Sequence, residues 1–459
     1  MDNNTTTTTP LRIAFIHPDL GIGGAERLVV DAAVGLQNLG HKVVMYTSHH
    51  DPAHCFEETR DGTLTVRVGG NTIVPRTLFN RFYIVCAILR NLHLALSLLF
   101  LSSETFDIII VDQLSVSIPL LRWTGAKIFF YCHFPDKLLT RRDSLLKRLY
   151  RFPVDLIEEL TTGMADSIVV NSKFTAQIFA QSFQLLHQLH VPPDVLYPSL
   201  QLDKFDRTID TALPEVDLLK TAKTSFVSIN RYERKKDIGL AIRAFAKLLA
   251  LPPSSPHQPN LRLVIAGGYD TRVDENVEHH NELVQLAQDL GLSTVTMPKS
   301  AAEADSAQVV FLLSISDAQK IFLIQHARAL LYTPTNEHFG IVPVEAMYLR
   351  CPVIAINSGG PTESIDNSVT GYLCPADPQV WAETMQELLT KSDHDWHQMG
   401  NAGRERVLRL FSLNAFVTKL NSILVLLHQS PPSALVEFGP TLTILSFFVL
   451  ALAALALLR

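Results

Sequence analysis

Glu337 and Glu345, eight positions apart around the turn His338-Phe339-Gly340, have the types and spacing in this chain best suited to chemistry. Upstream, Arg231 and Lys236 share the string Asn230-Arg231-Tyr232-Glu233-Arg234-Lys235-Lys236-Asp237. Two cations of this kind can converge on a pyrophosphate and neutralise charge as it leaves, Arg through bidentate bonds and Lys as a point charge. A sugar nucleotide lying across the later turn could meet both acids. The layout therefore suits transfer of a sugar from a nucleotide diphosphate. The plainer alternatives are that the glutamates are first-turn helix acids favoured by the dipole and that the cations form a solvated basic turn.

These residues need a scaffold that brings them to one edge. Glu337 follows the apolar strand Ala329-Leu330-Leu331-Tyr332, and its turn opens a helix. Strand candidates in the first half are 12–17, 42–47, 64–68, 107–111, 127–132 and 167–170. In the second half they are 226–229, 261–266, 309–313, 328–332 and 352–356. Runs apolar throughout, separated by helical stretches, indicate parallel sheets covered on both faces. The proline-bearing stretch 192–214 breaks the pattern before it restarts. The expectation is an α/β chain of two Rossmann-like, doubly wound domains, 11–205 and 206–430, facing a cleft at the carboxyl ends of both sheets. Residues 1–10 form a Thr-rich tail, and 431–459 a linker and terminal helix. The helical stretch 381–427 could close the second domain or cross back to the first, and 251–260, with four prolines, reads as a surface insertion.

Other motifs carry weaker signals. The turn Gly21-Ile22-Gly23-Gly24-Ala25-Glu26-Arg27 links the first strand to the first helix, where glycines permit close approach of a phosphate to the helix amides. It is not the dinucleotide fingerprint, because Glu26 stands where the third glycine belongs and no acid ends the second strand. That disfavours a nicotinamide enzyme. His133, in Tyr131-Cys132-His133-Phe134-Pro135, follows a strand and is placed either to touch a ligand or to serve as a structural histidine. Lys137, Arg141, Arg148 and Arg151 share one helical face, which could meet anionic lipid headgroups or be simply solvated. Asp393-His394-Asp395 reads as a helix cap rather than a metal site, and no Cys/His grouping has zinc spacing.

Length and composition bound the rest. At 459 residues the chain holds two or three domains. A net charge of -6 gives no global basicity for nucleic acid. Five scattered cysteines without a C-x-x-C pair fit reduced thiols, and the polar N-terminus lacks the pattern of a cleavable signal. With 47% hydrophobic and 18% charged residues, a membrane attachment is expected. Residues 439–458 contain no charge, are long enough to span hydrocarbon, and are expected to form a C-terminal transmembrane anchor. The segment 83–101 is also apolar, but Arg90, Asn91, His93 and Ser97 fall on one helical side. It fits an interfacial or cleft-lining helix, or one buried on the first sheet, better than a span.

Together, the Gly21–Arg27 turn, Tyr131 to Leu139, Ser228 to Lys236 and Glu337 to Glu345 resemble the retaining glycosyltransferases of family 4, whose architecture is GT-B. The resemblance covers about 11 to 427 and is strongest to members that add α-1,3 and α-1,6 mannoses to a dolichol-linked oligosaccharide. It implies GDP-mannose as donor, a dolichyl-pyrophosphate oligosaccharide as acceptor, and no cofactor or catalytic metal. It further implies the cytosolic face of the endoplasmic reticulum membrane and a complex with other mannosyltransferases of the pathway. By resemblance Glu337 contacts the transferring mannose, Glu345 the ribose hydroxyls, and Arg231 and Lys236 the pyrophosphate. Gly23, Gly24, Phe339 and Gly340 complete the donor-binding set, and His133 lines the reaction centre. The competing readings are another lipid-directed GT-B transferase that moves GlcNAc, and a non-catalytic, membrane-tethered binder of nucleotide sugars.

Overall fold

The computed structural model describes residues 9–70, 73–75, 77, 83–138, 145–252 and 260–431. The expected tail up to residue 8, the centre of the 251–260 insertion, Arg141 and the apolar run 439–458 lie outside them. Two compact units emerge, one spanning Met1–Ser199 together with Leu413–Arg459, the other Leu200–Ser412.

The first unit is built on strands β1 (Arg12–Leu20), β2 (Lys42–His50), β3 (Thr65–Val68), β4 (Ile108–Asp112), β5 (Lys127–Cys132), β6 (Ser167–Val170) and β7 (Asp194–Val195). They form one parallel sheet in the order β3-β2-β1-β4-β5-β6-β7, so the winding reverses between β1 and β4. Alternate residues of the same strands feed two cores. Ile13, Phe15, Ile108, Ile110 and Phe129 pack on one face, and Ala14, Ile16, Ile109, Val111, Ile128 and Phe130 on the other. A strand buried on both sides must be apolar at every position, which is the pattern the sequence shows.

The helix Leu413–Gln429 belongs to this first unit, not to the second domain expected over 206–430. Its Phe416, Val417, Leu420, Leu424 and Leu427 complete the first core beside the helix Gly24–Asn38. Gly35 makes that contact possible, since a Cβ there would come within 2.2 Å of a Val417 methyl. His41 and Asn421 add a 2.8 Å hydrogen bond between the two segments.

The helix Tyr83–Leu101 covers the opposite face, and among the described residues it alone is long and apolar enough to cross a membrane. Of the readings offered by sequence, the structure shows the helix buried on the first sheet, with His93 and Ser97 half-buried. Arg90 and Asn91 are buried against the sheet, with Arg90 Nη2 donating to Asp19 Oδ1 at 3.0 Å. Leu89, Leu96, Phe100 and Leu101 face outward instead.

The second unit repeats the plan with β8 (Thr224–Ile229), β9 (Leu261–Gly267), β10 (Thr294–Thr296), β11 (Val309–Leu313), β12 (Ala327–Tyr332), β13 (Val353–Ile356) and β14 (Gly371–Cys374). Their order is β10-β11-β9-β8-β12-β13-β14, all parallel, and the winding reverses between β8 and β12. Phe226, Leu263, Ile265, Phe311, Leu331 and Ile354 anchor the larger core, with Trp381 and Phe245 from the covering helices.

Candidate active site

In open α/β sheets a ligand sits outside the carboxyl ends of the strands where the winding reverses. In the second unit that point lies between β8 and β12, and both loops carry sequence-predicted residues. The turn Arg234–Lys236 follows β8, and Glu337 follows β12. Lys236 Nζ reaches Glu337 Oε2 at 2.5 Å, both side chains being largely enclosed. Thr333 Oγ1 donates to the Lys236 carbonyl at 2.7 Å, which fixes one loop against the other.

The loop after β13 presses on the same turn. Gly360 N–H donates to the Glu337 carbonyl at 2.8 Å. A Cβ at Gly359 would lie 2.5 Å from that carbonyl, and one at Gly360 would lie 2.2 Å from the Phe339 carbonyl. Gly340, at φ +80, ends the turn and opens the helix Ile341–Tyr348, whose first amides have no side-chain cap. Such a helix start presents donors to an anion. Asp237, Met297, Ser314 and Asn336 all have positive φ at the carboxyl ends of β8, β10, β11 and β12. Non-glycine residues held there cost energy and cluster at functional edges.

Other expected residues fall differently. Arg231 is mostly exposed, 3.2 Å from Glu233, and makes no described contact with Lys236. Glu345 is almost wholly buried in the helix, with Lys320 Nζ 2.5 Å from its Oε2. Burial raises the Glu345 pKa and the Lys320 ammonium opposes the rise. The two acids thus each have their own lysine, and Lys320 is a residue sequence reading missed. Phe339 is turned inward onto Phe411, with ring centroids 5.5 Å apart, so its side chain anchors the turn.

Of the basic face expected around Lys137, only the Lys137 and Arg151 side chains fall among the described residues. Lys137 lies in the turn Asp136–Leu138, ahead of the helix Leu145–Thr162, where its ammonium bonds the Ser182 carbonyl and sits over Phe183. Arg151 is buried against Asp155 and Asp136, while the Arg148 side chain lies outside the described residues. Asp393 and Asp395 occupy the first turn of a helix capped by Ser392, whose hydroxyl accepts from Asp395 N–H at 3.1 Å.

The first unit reverses its winding at β1 and β4, and there the structure gathers four polar side chains, of which only His133 was expected at the site. His17 Nδ1 lies 2.7 Å from Asp112 Oδ2, one step beyond the Ile16 and Val111 pair in the sheet register. His133 Nε2, just past β5, lies 2.7 Å from Asp112 Oδ1, and Glu26 Oε1 is 3.9 Å from His17 Nε2. Burial alone would push His17 down, but Asp112 and Glu26 outweigh it and lift its pKa to about 9. Burial would likewise raise Asp112, yet His133 and His17 bring it down to about 2. Gly23 and Gly24 begin the adjoining helix. Space beside Gly23 is taken by the Glu26 carboxylate, which a Cβ would meet at 2.2 Å, whereas Gly24 faces open space. The signal available in sequence was a polar residue ending an otherwise apolar strand, as in Ile108-Ile109-Ile110-Val111-Asp112.

Comparison with known proteins agrees with this division. The family described as Glycosyltransferase Family 4 matches residues 22–193, and Glycosyl transferases group 1 matches 211–406. Among solved structures, a Rickettsia africae glycosyltransferase superposes with a TM-score of 0.66 at 17% identity, covering 92% of this chain and all of that one. Sucrose-phosphate synthase from Thermosynechococcus elongatus gives 0.63 at 20% identity, over 91% and 99%. At such identities the likeness speaks to fold, which is GT-B. Sequence relatives are much nearer. The alpha-1,3/1,6-mannosyltransferase ALG2 of Rhizomucor pusillus is 56% identical, over 93% of this chain and 94% of its own. The human protein of the same name is 50% identical, over 89% and 94%. With both sheets carrying their charged residues at the switch points, and half or more of the positions shared across nearly the whole length, the chain belongs to the ALG2 family of alpha-1,3/1,6-mannosyltransferases.

Proposed function

We propose that this chain moves mannose from GDP-mannose to a dolichyl-pyrophosphate-linked oligosaccharide, making α-1,3 and α-1,6 additions with retention of configuration. The observation that carries the reading is the Lys236 and Glu337 pair at the β8/β12 switch point, beside an exposed Arg231 and an uncapped helix start. Lys236, Arg231 and the first amides of Ile341–Tyr348 supply positive charge to the departing diphosphate. Preorganised groups of this kind contribute several kcal/mol of barrier lowering. The anomeric C–O bond to phosphate breaks, the acceptor hydroxyl forms the new C–O bond from the same face, and its proton passes to the leaving phosphate oxygen. Glu337, tied to Lys236, steadies the sugar hydroxyls rather than attacking the anomeric carbon. The charge role falls to these cations rather than to a metal.

The outward apolar stripe of Tyr83–Leu101 and the apolar run 439–458 support work at a membrane surface. The reading places the site on the cytosolic face of the endoplasmic reticulum, in company with other mannosyltransferases of the pathway. The test is a transfer assay with purified protein, GDP-mannose and a short lipid-linked acceptor, the linkage being read from the product. Lys236→Ala should lower turnover by about 100-fold or more. Transfer of GlcNAc from UDP-GlcNAc in place of mannose, or nucleotide binding without transfer, would overturn the assignment.

A further inference from the structure

We propose that Asp112 is a positioning residue for His133, gripping the ring at Nε2 and leaving Nδ1 as the nitrogen that meets the substrate, with His17 and Glu26 as the charges behind it. The proposal rests on the transferase reading above and deepens it at one side chain. Asp112 and His17 are each 1% exposed, whereas the His133 side chain is 25% exposed. Within His133 the Nε2 atom is sealed from solvent, so the accessible part of the ring lies away from it. The ring is held on further sides. Tyr131 lies against it at 4.7 Å, and Asn171 Nδ2 donates to the His133 carbonyl at 3.1 Å.

An isolated buried carboxylate would take up a proton and lose its grip as an acceptor. Here two imidazoles flank Asp112, and Glu26 backs the inner one. The alternation of acid and base leaves no net charge of one sign concentrated at Asp112. An ionised carboxylate at Nε2 selects the form of His133 that carries its proton there. In the neutral ring Nδ1 is then an acceptor, and in the cation it is a donor. Asp112 Oδ1 and His133 Nε2 lie 2.7 Å apart as a charge contact, both atoms sealed from solvent. Gln113, at φ +65 directly after Asp112, shows that the backbone accepts strain at this point. Gly23 then has a structural purpose of its own, since its missing side chain makes room for the carboxylate of Glu26.

The experiment uses the full chain, GDP-mannose and a lipid-linked acceptor, with melting temperature as a control for folding. Asp112→Asn keeps the size and removes the charge; kcat should fall by about 100-fold while KM for GDP-mannose stays within about threefold. Combined with His133→Ala it should cost no more than His133→Ala alone, because both changes act through one ring. His17→Asn preserves a donor toward Asp112 and should retain more activity than His17→Ala, a pair that decides the matter should Asp112→Asn not fold. Nitrogen-15 spectra of labelled histidines supply a readout independent of turnover. His133 should show a protonated Nε2 in the wild type and lose that preference in Asp112→Asn. Additive losses in the double variant, near-normal kcat in Asp112→Asn, or an unchanged His133 spectrum would overturn the proposal. A wild type that transfers no mannose, yet shows the expected His133 spectrum, counts against the transferase reading and leaves the positioning role standing.

Discussion

Glu345 and Lys320 form an ion pair in which the acid is almost wholly buried and the lysine is mostly enclosed. Removing one charge of such a pair strands the other, while replacing both with apolar groups is far cheaper. Lys320→Met, which leaves the buried carboxylate unpaired, is therefore expected to destabilise the second unit by about 3–5 kcal/mol, and Glu345→Leu with Lys320→Met to recover most of the loss. Denaturant unfolding of the two variants beside the wild type checks this. At the first site, the raised pKa of His17 contributes stability that is complete below its ordinary 6.5 and is lost as pH rises through about 9. The lowered pKa of Asp112 contributes stability complete above its ordinary 3.8 and lost as pH falls toward about 2. Hydrogen exchange in β1 and β4 should accordingly quicken across the alkaline window in the wild type and much less so in His17→Asn. Neither His17 nor Asp112 was legible as a partner beforehand, being 95 positions apart and joined only by sheet register. The Glu337 and Lys236 pair was legible because each follows an apolar strand closely.

At the scale of elements, glycines separate fold requirements from ligand requirements. Gly360→Ala would drive a Cβ into the Phe339 backbone and should lower the melting temperature and distort the Glu337 turn. Gly24→Ala meets nothing and exchanges a poor helix former for a good one, so its melting temperature should hold or rise slightly. If the Gly24 region approaches donor phosphate, KM for GDP-mannose should nonetheless increase. An unchanged KM would remove Gly24 from the donor-binding set. The long central strands could be read from sequence because burial on both faces demands unbroken apolar runs. The edge strands β7, β10 and β14 could not. They are two to four residues long, mix polar with apolar side chains, and take their form from a single neighbour. Which face of Tyr83–Leu101 turns inward was left open, since periodicity shows that a helix has two faces without saying which one finds a counterion, here Asp19 for Arg90.

For the whole molecule, the decisive feature is the return of Leu413–Gln429 to the first unit. Five of its apolar side chains enter that core, each worth about 1.5–3 kcal/mol on burial. A chain truncated after Ser412 should keep the second unit folded, with protected exchange in β8 and β12, while the first unit becomes susceptible to proteolysis. Equal loss of protection in both units would refute this. Sequence reading left open whether the terminal helices close the second domain or cross back, because amphipathicity guarantees a buried face but names no partner.

That return also sets an order of assembly. The 213 residues of Leu200–Ser412 are continuous and can settle as soon as they leave the ribosome, whereas the half of the protein made first must wait for a piece made last. Until then Phe15, Val29 and Leu36 line an unfilled greasy slot on the nascent chain, a natural resting place for a chaperone and the point at which stalled synthesis would leave the product prone to clump.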